Sequence, residues 1–399
     1  MIKVKSIYTL NSTEKKILNL IQKKSSITKN ELLNITEMKL TSLNRVMNTL
    51  LDNNLILKVG IAESTGGRKP TLYDVNEEYG YIVGVNISRI YSNVVVVNMK
   101  MDIISNEKFI MTENHTPKVT VKAISQIINT NLERLKITKD KVLGLGIGTV
   151  GPLDRENGIM LNVSHFNASG WKNADIRKML QDQVKVPILL DNGANTAVIG
   201  EALYGYGKGF KNVAYFHCGI GIRTGITNKS SLIRTINDTE DAFGHMVIDI
   251  NGAPCPCGNR GCIESYVSIP SLINGFRKEA EFGHSTTISK PIADVKHFDI
   301  CDAAIYGDEL SKRLIENAGE ILGTGLANFS NLLNPDLIIL SGPLINYCSI
   351  FYDIVEKTFH TRTYFKKEKK VIFNKGGKFK DNSIALGAAA MFLEQMLES

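Results

Sequence analysis

Near residue 76 the sequence changes its period. Before that point apolar residues recur at helical spacing in three short stretches. Beyond it come β-branched runs (IVGVNIS, NVVVVNM) and buried-strand runs that end near glycines (VLGLGIGTVG, VPILLD, LIILSG), alternating with helical patterns, the longest at 309–333. No single repeat accommodates both halves. The chain therefore divides into a head, residues 1–76, and an α/β body, residues 77–399, with glycine turns where α/β folds gather their ligand sites.

Charge divides at the same place. Residues 1–75 hold twelve Lys/Arg against six Asp/Glu, and the other 324 residues hold 35 against 34. A basic head on a near-neutral body is the footprint of a polyanion-binding domain. There is no run of 18 apolar residues and no secretory signal, so a cytoplasmic location with no membrane partner is expected.

The head reads as three helices and a hairpin. The first, Thr13 to Lys23, has Ser12 as its expected N-cap and Ile17, Leu18 and Ile21 on one face. Thr28 caps a second, with Glu31 at capping-box spacing. The third, about Lys39 to Leu51, sets Leu40, Leu43, Val46, Met47, Leu50 and Leu51 against a polar face of Lys39, Thr41, Ser42, Asn44, Arg45 and Asn48. Strands at 55–59 and 71–75 flank a tip with Gly66-Gly67 and Arg68-Lys69. This is the outline of a winged helix-turn-helix. Lys39, Thr41, Ser42, Asn44 and Arg45 would face bases in the major groove of double-stranded operator DNA, while Arg68 and Lys69 would reach phosphates or a narrow minor groove. The alternative is a three-helix interaction module.

In the body the sharpest local signal is GHMVIDINGAPCPCGNRGCIES. It brings His245, Cys255, Cys257 and Cys262 into one loop, 245–262. One imidazole and three thiolates suit a closed, structural zinc site. Cys218, Cys301 and Cys348 are scattered in apolar surroundings, so no disulfide framework is expected.

That stretch resembles the signature of the ROK family (repressors, open reading frames and sugar kinases). STGGRKP is similar to the wing of ROK repressors. GIGTVGPLD, DNGANTAVIGEALYG and ANFSNLLNPDLIILSG are similar to successive family segments, so the resemblance runs along nearly the whole chain. It implies a two-lobed, actin-like (ribonuclease H-like) ATPase-type fold with sugar in the cleft, assembled as a homodimer or homotetramer. It also implies hydroxyl-binding roles for Asn162, Asn192, His245 and Glu264.

The kinase elements of the pattern fail at three places. The phosphate loop DxGGT is replaced by Asn86-Ile87-Ser88-Arg89-Ile90, which removes both glycines and the threonine hydroxyl. Gly193 stands where the base aspartate of NDAN is expected, and glycine is no general base; Asp191 lies two residues earlier. In the turn GTGIGAG, His217 and Cys218 replace the leading Gly-Thr, and Ile222-Arg223-Thr224 follow the kept Gly219-Ile220-Gly221. Ser341-Gly342 survives, followed by Pro343. Ala242 replaces the glutamate three residues before His245. The resemblance thus implies a DNA-binding regulator, a repressor of carbohydrate-utilisation genes, that senses a sugar without phosphorylating it and needs no ATP. Two alternatives stay open: a sugar kinase with a DNA-binding head, and a regulator controlled by a protein partner through a vestigial sugar cleft.

Overall fold

The computed structural model describes residues 6–63, 69–229, 231–234, 242–364 and 370–398. The chain forms two compact units, residues 1–196 with 384–399, and residues 197–383.

The first unit begins with the head. Helices α1 (Ser12–Lys24), α2 (Lys29–Thr36) and α3 (Leu40–Asp52) pack beside a three-stranded sheet of β1 (Ile27–Thr28), β2 (Ile56–Ile61) and β3 (Thr71–Val75), in the order β1-β3-β2. Helix α1 is capped by Asn11, not by Ser12. The Asn11 side chain accepts from the Glu14 N–H at 3.0 Å, and Glu14 accepts from the Asn11 N–H at 2.9 Å. A reciprocal capping box satisfies two otherwise orphaned donors, which Ser12 one residue later could not. Thr28 and Glu31 close the expected box on α2. Leu43, Met47 and Leu50 of α3 are fully buried, but Leu40 is 54% exposed and leaves the apolar face assigned to it. It sits in the first turn, ahead of the stripe that meets α1 and α2.

The rest of this unit is a five-stranded sheet: β4 (Tyr81–Ile87), β5 (Tyr91–Val97), β6 (Ile103–Ile110), β7 (Val142–Thr149) and, after three two-residue strands β8 (Leu153–Asp154), β9 (Ile159–Met160) and β10 (Ala174–Asp175), β11 (Ile188–Asn192). The order is β11-β7-β4-β5-β6, with β11, β7 and β4 parallel and β5 and β6 antiparallel additions. Alternation assigns the faces. Val83, Val85, Leu145 and Ile147 join one apolar cluster with α4 (Pro117–Arg134) and α5 (Ile176–Val184). The glycines of VLGLGIG lie inside β7, not at its end, and face the C-terminal helix Ser383–Glu398. A Cβ at Gly146 would fall 1.9 Å from the Ala388 carbonyl oxygen, one at Gly84 2.0 Å from that of Ala385, and one at Gly144 1.9 Å from the Phe392 ring. Glycine at 84 and 146 lets the helix backbone lie on the strands, and glycine at 144 makes room for the Phe392 ring.

The head is tied to this sheet and to the C-terminal helix. The Ile7 N–H donates to the Tyr79 hydroxyl at 3.1 Å, the Gln22 amide to the Met99 carbonyl at 3.2 Å, and Lys23 pairs with the mostly buried Glu394. Burial raises the Glu394 carboxyl above its ordinary range, against the opposing pull of Lys23.

The second unit repeats the sheet plan. Helix α6 (Gly193–Tyr204) leads into it, followed by β12 (Asn212–Cys218), β13 (Ile222–Asn228), β14 (Ser231–Leu232), β15 (Leu337–Ser341) and β16 (Ile372–Lys375), in the order β14-β13-β12-β15-β16. Its helices are α7 (Glu264–Val267), α8 (Ile269–Glu281), α9 (His297–Ile305), α10 (Glu309–Leu333), α11 (Pro343–Tyr347) and α12 (Ser349–Arg362). Leu322, Leu326 and Phe329 of α10 fill the core beneath β12 and β15. Glu201 on α6 is completely buried. It accepts from the N–H groups of Tyr206, Lys378 and Phe379 and from the Ser383 hydroxyl, at 3.1–3.2 Å. Four donors satisfy a carboxylate that would otherwise be costly to desolvate. No helix among the described residues is long and apolar enough to cross a membrane.

Candidate functional site

On α3, Lys39, Thr41, Ser42 and Arg45 are exposed on one face. Asn44 is half-buried, and its Oδ1 accepts from Lys29 Nζ at 2.8 Å, so α2 fixes the orientation of this amide. Exposed Leu40 lies among these polar groups; helical periodicity alone had placed it in the core. In the wing, β2 and β3 carry a register shift between Lys58 and Gly60, and the Ala62 N–H to Pro70 carbonyl bond of 2.9 Å closes the described part of the hairpin. Lys69 is exposed; Arg68 lies outside the described residues.

The loop after β14 builds a second site. His245 ends a short 3₁₀ turn, Phe243–His245, anchored by Phe243, whose buried ring meets Phe216 and Phe329 edge-on at 4.7 and 5.7 Å. Isolated bridges pair Val247 with Cys262 and Pro254 with Arg260. They fold the cysteine segment back on itself. Gly261, at φ +71°, is required there: a Cβ would lie 1.6 Å from the Asp249 carbonyl oxygen. The result brings one ligand atom from each of His245, Cys255, Cys257 and Cys262 within 4.8 Å of one another. Cys255 Sγ is 3.6 Å from His245 Nδ1, and Cys257 Sγ is 3.7 Å from Cys262 Sγ. A tetrahedral ion with metal–sulfur bonds of about 2.3 Å needs sulfur–sulfur edges of roughly 3.8 Å, so the cage fits one.

The thiols are mutually frustrated without a cation. Burial acts to raise Cys255, yet hydrogen bonds from the Cys257 backbone and from Ser265, Cys257 and His245 hold it down at about 7. Burial and hydrogen bonding to the Cys255 and Cys257 sulfurs push Cys262 up to about 12. Three thiolates in one small cage repel one another, and a bound cation reverses that balance.

The remaining family positions fall in each unit separately. In the first, the segment between β4 and β5 is a closed turn. Ser88 donates its hydroxyl to the Tyr91 carbonyl at 2.7 Å, its N–H reaches the same carbonyl at 3.2 Å, and the Tyr91 N–H returns to Ser88 Oγ at 3.3 Å. Two amides of this turn are thereby consumed internally. Arg89 donates Nε to the Ser164 carbonyl at 2.7 Å. The Nδ2 of buried Asn86 has no hydrogen-bond partner among the described residues.

Asp191 is 1% exposed. Its Oδ1 accepts from the Asn192 N–H at 2.6 Å and the Asn195 amide at 3.0 Å, and Arg155 lies 4.0 Å from Oδ2. Asn192 turns its Oδ1 onto the Ala194 N–H at 2.9 Å, at the start of α6. Gly193 is not demanded by the backbone: the atoms nearest a Cβ there would be Ile384 side-chain carbons at 3.3–3.4 Å and the Thr149 carbonyl oxygen at 3.6 Å. Asn162 is exposed in an irregular segment.

In the second unit Glu264 opens α7. Its Oε2 accepts from the Ile222 N–H at 2.8 Å and pairs with Arg223 Nη1 at 2.9 Å. The sequence pattern had marked Glu264 but not its partner 41 residues away. Burial pushes the Cys218 thiol up to about 12, which leaves it inert as a nucleophile. Gly342, at φ +99°, lets the turn after β15 lie against the Cys218 backbone.

A small winged helix joined to two α/β units, each with a five-stranded mixed sheet, defines a sugar-kinase-like regulator fold. Comparison with known proteins agrees. The ROK family profile matches residues 82–395, and a winged helix-turn-helix DNA-binding profile matches residues 10–56. The chain belongs to the ROK family. It is 27% identical over 387 residues, 96% of each chain, to the xylose repressor of Bacillus spizizenii. Among solved structures it is similar to a ROK family transcriptional regulator that is a homologue of the E. coli MLC protein, at TM-score 0.79 and 21% identity, covering 97% of this chain and 96% of that one. A ROK family glucokinase from Streptomyces griseus, solved with glucose and AMPPNP, matches at TM-score 0.64 and 22% identity over 79% of this chain and 100% of that chain.

Proposed function

We propose that this protein is a transcriptional repressor of carbohydrate-utilisation genes. In this reading the head, residues 1–76, binds operator DNA, and the body, residues 77–399, senses a sugar through Asn162, Asn192, His245 and Glu264 without phosphorylating it. The observation that carries the reading is the exposed face of α3, where Lys39, Thr41, Ser42 and Arg45 stand free of the head's core in a chain whose body is of the ROK type. Leu40 adds an apolar group suited to a thymine methyl. The protein works in the cytoplasm as a homodimer or homotetramer, because a helix-turn-helix reads two half-sites through paired copies. Zinc held by His245, Cys255, Cys257 and Cys262 is structural, since all four positions of the tetrahedron are filled by protein. The test is binding of the full chain to DNA upstream of its own gene, with release by a sugar. Binding no tighter than to random DNA overturns it.

The same reading predicts no sugar-kinase activity. The Ser88 turn consumes amides that a phosphate cradle would use, and no side chain at 193 can take a hydroxyl proton. In a coupled assay with glucose and xylose, sugar-dependent ATP turnover stays well below about 1 s⁻¹. Gly193→Asp does not restore it, because the phosphate turn remains closed. Turnover at that rate in the wild type would show a kinase.

A further inference from the structure

We propose that the effector is an acidic sugar, one bearing a carboxylate or a phosphate, and that Arg223 is the residue selecting it. The inference rests on the sugar-sensing reading above and names its ligand class. Arg223 lies in β13, where the family pattern GTGIGAG has its last glycine, and it enters the surroundings of Glu264. Its Nη1 is fully used, donating to the Ile222 carbonyl at 3.0 Å and to Glu264 Oε2 at 2.9 Å. Its Nε and Nη2 take no partner among the described residues. Those N–H groups form one edge of the guanidinium fork, the edge that grips a carboxylate or phosphate with two parallel hydrogen bonds. Arginine suits this role better than lysine because the fork is planar and preorganised.

A second substitution in this unit points the same way. Where the pattern has a glutamate the chain has exposed Ala242. One negative group that would receive a hydroxyl is missing, and one positive group is added. Glu264 Oε2 already accepts from two donors, the Ile222 N–H and Arg223, so its capacity for a neutral polyol falls largely to Oε1. A neutral sugar would leave the open guanidinium edge without a partner. A sugar acid fills it while one hydroxyl donates to Oε1. The pair is half-buried, with side-chain exposures of 22% for Arg223 and 16% for Glu264, so the interaction is only partly screened.

The experiment is calorimetric titration of the zinc-loaded full chain. The neutral probes are D-xylose, D-glucose and N-acetylglucosamine; the acidic ones are D-glucuronate, D-galacturonate and D-glucose 6-phosphate. Acetate and inorganic phosphate serve as anion controls. An acidic sugar is expected to bind at least about tenfold more tightly than its neutral counterpart, the scale of one charge-assisted contact, with neither simple anion binding comparably. The carboxylate and phosphate arms then identify the acid. Arg223→Gly should abolish the preference, and Arg223→Lys should keep part of it while reporting that the fold is intact. A neutral sugar that binds as tightly as any acid overturns this inference and leaves sugar sensing standing. Simple anions binding as well as sugar acids overturn it too, as does a preference that persists in folded Arg223→Gly. Binding of no sugar of either kind removes the sugar-sensing reading itself, and this inference with it.

Discussion

Removing the metal from the 245–262 loop should lower the thermal midpoint of the full chain by roughly 6–20 °C, equivalent to about 3–5 kcal/mol at the scale of a unit this size. The effect is expected to be large but local. In small zinc peptides the metal supplies the whole folding free energy, whereas here the loop packs on a large apolar core that includes Phe216, Phe243, Ile263 and Phe329. Elemental analysis should give about one zinc per chain, and Cys257→Ser should release it. Cys257 is the informative position because it is exposed, unlike Cys255 and Cys262. Serine there leaves no cavity, so a large loss of stability reports on the metal and not on packing. Acid should weaken binding, because protons compete with the metal for the thiolates. Metal-free protein with an unchanged midpoint would rule out a structural zinc.

The second large effect concerns DNA. Arg45→Ala should cost about 1–3 kcal/mol on the operator, the range of a bidentate base contact, and relax specificity at one position per half-site. Affinity for random DNA should change far less. Lys69→Ala should instead weaken all sequences nearly alike and lower the salt slope by about one, as loss of a phosphate contact does. If Arg68 enters a narrow minor groove, as its place at the wing tip in the sequence suggests, Arg68→Ala should hurt A/T-rich flanks most. Titrations of the three variants and wild type against the upstream DNA, at several salt concentrations, separate these roles. A wild type without preference for that DNA, with all three variants indistinguishable from it, would make the head an interaction module.

What the sequence by itself determined is what short-range chemistry encodes. The three helices of the head, the Thr28–Glu31 cap, the hairpin and the clustering of His245, Cys255, Cys257 and Cys262 all depend on residues within a turn, a strand pair or one loop of each other, and spacing alone reveals them. That Ser88, Arg89 and Gly193 stand where the family pattern has glycines and an aspartate is equally legible, because a difference of residue type needs no geometry. Tertiary structure decided whatever depends on which distant groups meet. Leu40 falls on the apolar stripe of α3 by spacing, yet the fold leaves it 54% exposed. The glycines at 84, 144 and 146 make room for the C-terminal helix, some 240 to 300 positions along the chain, which no local pattern announces. Glu394 is tied to Lys23 from the opposite end of the chain, and Arg223 meets Glu264 across 41 residues. Periodicity records which face of an element is apolar; it carries no information about what that face will touch, because that is set by how sheets and helices stack once the whole chain has collapsed.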